Sequence, residues 1–79
     1  MSTNTPSRPL HQIAKDIRAD WKNVNYAAKP YLDALGQLDS ITDSFGYDSA
    51  KGIVLRFLGN ASSWRGEVAK RIKAELKAL

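Results

Sequence analysis

Three lysines near the end of the chain have the spacing most typical of a binding role. Lys70, Lys73 and Lys77 recur at intervals of three and four residues, so on an α-helix they lie on one face, opposite an apolar stripe. An outward row of lysines can follow the phosphates of a nucleic acid, and each neutralised phosphate adds salt-dependent affinity. Lys51 and Arg56 would extend this basic surface. The same row is also typical of a solvated face that keeps a helix soluble, and both interpretations stay open.

Two tyrosines outside the predicted apolar stripes form a second candidate surface. Tyr26 and Tyr47 fall in predicted connections, and no helical stripe requires either of them in the core. Tyrosine and arginine are among the side chains that carry most binding energy at protein interfaces. We therefore predict a partner-binding set that combines these tyrosines with two cations: Lys22, Tyr26, Tyr47 and Arg65.

The groups needed for catalysis or metal binding are missing. His11 is the only histidine and there is no cysteine, so no metal site or nucleophile–base pair can be built around a thiol or a second imidazole. Asp39, Asp43 and Asp48 do not fit a calcium-binding loop, because Ile41 interrupts them and no glutamate follows at the twelfth position. The chain also has no glycine-rich phosphate loop. We expect no enzyme, no metal and no cofactor; His11 should face solvent, and the aspartates should cap turns and helices.

The charge of the chain is distributed unevenly. Its net charge is +4. Residues 1–48 carry five bases and six acids, whereas residues 49–79 carry seven bases and two acids. A positive C-terminal part suits an acidic partner, either nucleic acid or an anionic protein face. The sequence shows no signal peptide and no apolar run of membrane-spanning length, so we expect no membrane partner and a cytoplasmic location.

Apolar residues at intervals of three and four predict four helices of about 10–16 residues. Their predicted bounds are Pro9–Lys22 with an N-cap at Ser7, a start at Pro30, Asp48 (the N-cap) to Leu58, and Ser62 or Ser63 (the N-cap) to Leu79. No segment alternates with period two over the length of a strand, so no sheet is expected. The predicted fold class is all-α: a compact bundle of about four short helices, with residues 9–79 as a single domain and residues 1–8 as a flexible N-terminal tail.

The remaining large aromatic side chains belong to the predicted stripes. A chain of 79 residues buries only about 60% of the surface that its unfolded form exposes, so its small core needs large side chains. We expect three aromatic residues in that core: Trp21, Tyr31 and Trp64.

Four short segments carry a resemblance to a known group of proteins. They are Asp20–Val24 (DWKNV), Ala28–Leu32 (AKPYL), Gly46–Ala50 (GYDSA) and Asn60–Glu67 (NASSWRGE). Over about residues 10–77 the chain resembles small uncharacterised proteins of phages and integrated elements. The resemblance implies an accessory protein of a mobile element, acting inside a bacterial host. It transfers no catalytic or binding residue.

Three hypotheses for function follow from the sequence. The leading one is a small non-enzymatic interaction protein that binds a host protein, inhibition of that protein being one form of the hypothesis. The alternative is a non-specific nucleic-acid-binding protein that uses the basic outer face of the C-terminal helix. The third is a homo-oligomer, because a core this small can require a second copy.

Overall fold

The computed structural model describes residues 8–79, which fold into one globule of four helices and a two-stranded antiparallel sheet. The elements in chain order are α1 (Leu10–Asp20), α2 (Lys29–Leu35), β1 (Ser44–Phe45), β2 (Asp48–Ser49), α3 (Ala50–Gly59) and α4 (Glu67–Lys77). The prediction of four helices is confirmed, although α2 is shorter than expected. No helix in the described part is long and apolar enough to cross a membrane. The expected tail lies outside the described residues except for Arg8.

The core is a single apolar cluster to which all four helices contribute. Its largest fully buried side chains are Phe57, Leu10, Ile13, Ile17, Leu32, Leu35, Ile53 and Ile72. No polar or charged residue of the described part is buried. Full burial of one such apolar side chain contributes about 1.5–3 kcal/mol, so apolar packing supplies the main stabilisation of this fold.

Contacts at the two ends of α1 show that α4 runs antiparallel to it. Arg8, just before α1, binds Glu75 near the end of α4, with Nη2 and Oε1 2.7 Å apart. Asp20, the last residue of α1, accepts a hydrogen bond of 2.8 Å from the indole N–H of Trp64, which precedes α4. The start of each helix therefore lies beside the end of the other.

Contacts between the connections show that α2 runs antiparallel to α1 and that α3 runs antiparallel to α2. The amide of Leu10 at the start of α1 donates to the carbonyl of Asp39, which follows α2. The side-chain amide of Asn25, which precedes α2, donates to the carbonyl of Asn60, which follows α3, at 2.9 Å. We call the end where α1 and α3 finish and α2 and α4 begin the tyrosine end, because it holds Tyr26. The opposite end, with both strands, is the hairpin end.

A small hairpin between α2 and α3 corrects the expectation that the chain contains no sheet. Ser44 pairs with Ser49 and Phe45 with Asp48 in antiparallel register. A tight turn joins the two strands, and Gly46 in this turn has a φ of +64°, which suits the first position of a two-residue hairpin turn. Each strand has two residues, too few to produce the alternating pattern by which strands are recognised in sequence.

The first turns of α1 and α3 differ from the predicted caps. Ser49 is the N-cap of α3, and its hydroxyl accepts a hydrogen bond of 3.0 Å from the amide of Gly52. Asp48, the predicted cap, lies one residue too early because it pairs within the hairpin. The N-cap of α1 is Pro9, and the predicted cap, Ser7, lies outside the described residues.

The start of α4 is also later than predicted. Its N-cap is Gly66, with a φ of +113°, a conformation that L side chains rarely adopt. The preceding chain turns back instead, and the amide of Trp64 donates to the carbonyl of Ala61 at 3.0 Å. Ser62 and Ser63 therefore belong to this turn and cap no helix.

Candidate interaction surface

Three aromatic rings in contact with one another form the base of the tyrosine end. The rings of Trp21 and Trp64 are nearly parallel, at 10°, with centroids 5.7 Å apart. Phe57 meets both of them edge to face, at 6.1 Å and 6.4 Å. Only 7% of Trp21 and 2% of Trp64 is exposed. Their predicted burial is confirmed, whereas Tyr31 is only half-buried.

A basic groove opens beside this aromatic base, between the end of α1 and the start of α2. Its volume is about 470 Å³. The residues that line it are Arg18, Trp21, Lys22, Asn23, Val24 and Lys29. Three of these six side chains are cations and none is an acid. The groove therefore offers positive charge and an amide above an aromatic base, a combination that suits an anionic group.

A second, more apolar groove of about 390 Å³ adjoins the first. Its lining is Tyr26, Ala27, Lys29, Pro30 and Asp33. Lys29 lines both grooves, so the two are neighbours at this side chain. Tyr26 is 94% exposed at its rim. An apolar side chain of a partner could bury itself here against Tyr26 and Pro30 while an anionic group occupies the basic groove.

The turn before α2 explains why Tyr26 points away from the core. Asn25 fixes this turn with both ends of its side-chain amide. Its Oδ1 accepts from the amide of Ala28 at 2.7 Å, and its Nδ2 donates to the carbonyl of Asn60. Ala28 is fully buried, so the turn is anchored on both sides of Tyr26, and that side chain is left in solvent.

Arg18 is the one groove cation that an acid of the described chain engages directly. Its Nη2 lies 2.5 Å from Oδ1 of Asp33, and both side chains are about half exposed. An exposed pair of this kind contributes only about 0–1 kcal/mol. A carboxylate arriving from a partner would therefore compete with Asp33 for Arg18 at small cost.

Three of the four residues predicted for partner binding lie at the same end of the fold, although Arg65 lines neither groove. Lys22 and Arg65 directly follow the stacked pair Trp21 and Trp64 in sequence, and both are exposed. Together with Tyr26 they lie at the tyrosine end. Lys22 follows the end of α1 instead of lying in its last turn.

Tyr47, the fourth predicted partner residue, lies elsewhere. It is fully exposed in the hairpin turn just before α3. The ten residues of α3, about 15 Å of helix, separate this turn from the tyrosine end. Tyr47 therefore does not belong to one compact surface with Lys22, Tyr26 and Arg65. The two-residue strands that flank this turn gave no signal in the sequence.

Lys73 corrects the expectation of three outward lysines on α4. Its Nζ donates to the carbonyls of Ala61 and Trp64, at 2.8 Å and 2.7 Å, and lies 5.8 Å from the centroid of the Trp64 ring. Partial burial, together with the charges of Lys77 and Arg65, lowers the pKa of this ammonium. Lys73 thus closes the turn before α4, because its ammonium donates to the carbonyl of Trp64 and joins the amide of Trp64 as a second donor to the carbonyl of Ala61.

The other predicted nucleic-acid contacts are exposed but scattered. Lys70 and Lys77 lie on the solvent side of α4, and Lys51 is exposed in the first turn of α3. Arg56 is exposed as well, but its Nη1 lies 3.3 Å from Oδ1 of Asp48. Without Lys73, the row on α4 is reduced to its two outer members.

Sequence reasoning missed Arg18 and Lys29 as part of a site. Arg18 and Lys22 stand four residues apart, a spacing that would have placed them on one face. Lys29 carries no such signal, because its position depends on the Asn25 turn that folds α2 back along α1. The apolar groove beside Pro30 is likewise a product of this fold.

The remaining polar residues behave as structural groups. His11 is half exposed, 3.4 Å from Asp39, as predicted. Asp43 caps the loop after α2, since its Oδ2 accepts from the amides of Asp39 and Ser40 at 3.1 Å and 2.9 Å. Among residues 8–79, no group of three histidine or acidic side chains is arranged to hold a metal ion.

Comparison with known proteins finds no matching family model, curated protein or solved structure. The candidate surface is therefore interpreted from its own geometry and charge.

Proposed function

We propose that this protein is a non-enzymatic interaction module that binds an acidic surface of another protein through its tyrosine end. The observation that carries the proposal is Tyr26, which is 94% exposed on a turn anchored to the core at both sides. Lys22, Lys29 and Arg65 lie at the same end. An exposed aromatic side chain on an anchored turn, with cations at the same end of the fold, is typical of a protein interface.

Energetics support a protein partner for this surface. A tyrosine buries roughly 150–250 Å² when it is covered, and binding needs to order its side chain but not its backbone, because Asn25 already fixes the turn. Cations around it accelerate encounter with an acidic partner and disfavour basic ones. The bacterial host protein implied by the resemblance to phage proteins is the partner we propose, in the cytoplasm of that host.

Nucleic-acid binding through α4 is the second candidate, supported by the net charge of +4 and the exposed Lys70 and Lys77. It is the weaker of the two because Lys73 is bound to two backbone carbonyls. Because Lys73 is not available to a ligand, the face can neutralise fewer phosphates, and its expected affinity for nucleic acid is lower.

Site-specific cross-linking tests the leading proposal. A photoreactive phenylalanine analogue at position 26 should cross-link a defined protein in extracts of the bacterial host. The same analogue at position 47 is the matched control, because Tyr47 is equally exposed at the hairpin end. Substitution of Lys22 and Arg65 by glutamine should weaken capture at position 26. Equal capture at both positions, insensitive to this double substitution, would overturn the proposal.

Two measurements separate the other hypotheses. Anisotropy titration with mixed-sequence duplex and single-stranded DNA at two salt concentrations tests the nucleic-acid alternative; affinity that falls steeply with salt and is lost on substitution of Lys70 and Lys77 would favour it. Sedimentation over a range of protein concentrations tests self-association. A mass that stays that of one chain would eliminate the homo-oligomer.

A further inference from the structure

We infer that the partner is recognised through a short segment that places an acidic side chain in the basic groove and an apolar side chain in the adjoining groove. The inference rests on the proposed function and deepens it, because it assigns a chemical pattern to the partner. Its basis is the juxtaposition of the two grooves, which share Lys29.

The basic groove suits a carboxylate. Lys22, Lys29 and Arg18 line it, and Arg18 already binds a carboxylate, that of Asp33. This internal pair shows the geometry that an external carboxylate would reproduce: a guanidinium nitrogen at hydrogen-bond distance from one carboxylate oxygen. Asn23 adds an amide that can donate to the second oxygen.

The adjoining groove suits a medium-sized apolar side chain. Tyr26, Ala27 and Pro30 supply its apolar wall, while Lys29 and Asp33 form its polar edge. A partner side chain covered there would be desolvated against Tyr26, which the protein's own fold leaves in water. Because the polar edge of this groove lies next to the basic groove, one short segment can fill both grooves when its acidic and apolar side chains are close in sequence.

Short blocked peptides test this pattern directly by NMR. The probes are Glu-Glu-Leu-Leu and Leu-Leu-Glu-Glu, with Gln-Gln-Leu-Leu and Glu-Glu-Ser-Ser as matched controls. The reporters are the indole N–H of Trp21 and the amides of residues 22–29. The amide of Gly52, hydrogen-bonded to Ser49 at the hairpin end, is the internal reference. One order of the acidic–apolar peptide should shift the reporters saturably. The dissociation constant of each control peptide should be at least roughly threefold higher, which is the effect of losing one exposed ion pair or apolar contact.

Variants of the protein test whether the cations of the basic groove contribute to peptide binding. Substitution of Lys22 and Lys29 by glutamine should weaken peptide binding roughly tenfold, whereas Lys51→Gln, which removes one charge at the hairpin end, should leave binding unchanged. Asp33→Asn should strengthen binding roughly threefold, because it releases Arg18 from its internal carboxylate. A purely structural role for Asp33 would not produce tighter binding.

Several outcomes would overturn the inference. These are equal shifts with the glutamine and glutamate peptides, shifts confined to α4, or binding of inorganic phosphate to the groove that is tighter than that of either peptide. If no peptide binds while capture at position 26 still depends on Lys22 and Arg65, the inferred recognition pattern is wrong but the proposed function is still supported. If capture also fails, both fall.

Discussion

The indole rings of Trp21 and Trp64 lie nearly parallel, at 10°, with 5.7 Å between their centroids. Trp21 directly follows α1 and Trp64 precedes α4, so one stacked pair joins the two connections of the tyrosine end. Aromatic pairs of this kind contribute about 0.5–1.5 kcal/mol beyond the area that they bury. Lys22 and Arg65, each one residue further along the chain, are held at the same end by this stack. The packing of the core and the placement of the candidate surface thus depend on the same two residues.

Removal of the Trp64 ring should therefore unfold the protein or nearly so. Trp64→Ala removes a side chain that is 98% covered and leaves a cavity next to Phe57, at an expected cost of about 3–5 kcal/mol. Urea unfolding followed by circular dichroism measures this loss. Tyr47→Ala, at a fully exposed position, is the control and should change stability by less than about 0.5 kcal/mol. A folded Trp64→Ala variant of wild-type stability would refute the observed packing.

The ammonium of Lys73 should contribute to stability, whereas that of Lys70 should not. Lys73→Met keeps an aliphatic chain against Trp64 but removes the side-chain donor from two carbonyls. The carbonyl of Trp64 loses its ammonium partner, while that of Ala61 keeps the amide of Trp64. The expected loss is about 1–3 kcal/mol. Lys70→Met removes the same charge from an exposed position and should cost less than about 0.5 kcal/mol. Equal effects of the two substitutions in urea unfolding would show that the hydrogen bonds of Lys73 are unimportant.

The helices and most of the core are predictable from this sequence because they depend on local periodicity. The stripe of α1, with Leu10, Ile13, Ala14 and Ile17 buried, follows directly from intervals of three and four residues. By contrast, the late start of α4 depends on the positive φ of Gly66. A glycine in an otherwise helical pattern is compatible with either outcome, so sequence alone extends the helix too far.

The candidate site was predictable only in part, for a related reason. Tyr26 lies outside every predicted apolar stripe, which left its burial open, and in the structure it is exposed. Its grouping with Lys29, and its separation from Tyr47, depend on contacts between residues far apart in the chain, such as Asn25 with Asn60. The same holds for Lys73, whose outward direction was predicted from helical spacing and is wrong because the chain before α4 folds back over it.

Stability should fall at acidic pH through a small ion cluster at the hairpin end. Arg8 binds both Asp16 and Glu75, and its hydrogen bonds lower the pKa of each carboxyl. The unfolded chain then binds protons more readily than the folded one, so the contribution is complete above the ordinary carboxyl pKa range. It is lost as pH falls through the lowered values. These side chains are about one third exposed, and solvent screening keeps the effect small.

Arg8→Gln tests this linkage. The variant should lose stability at neutral pH and show a shallower decline of the unfolding free energy between about pH 5 and pH 2, because its carboxyls titrate near their ordinary values. Urea midpoints measured across that range provide the comparison. Lys15→Gln, which removes one exposed charge from α1, should keep the wild-type profile. Parallel profiles for wild type and Arg8→Gln would show that the cluster is not linked to folding.

Substitution of two glycines, one in the hairpin turn and one at the end of α3, should change stability in opposite directions. Gly46 has a φ of +64°, so Gly46→Ala forces an L side chain into the left-handed region, at an expected cost of about 1–2 kcal/mol. Gly59 ends α3 and a Cβ there would meet no atom within 4 Å, so Gly59→Ala should stabilise by about 0.5–1 kcal/mol. Thermal unfolding of both variants measures the two signs. Because Gly46 lies at the hairpin end, its substitution should leave capture at position 26 intact. Loss of capture in a folded Gly46→Ala variant would place part of the contact surface on the hairpin and return Tyr47 to it.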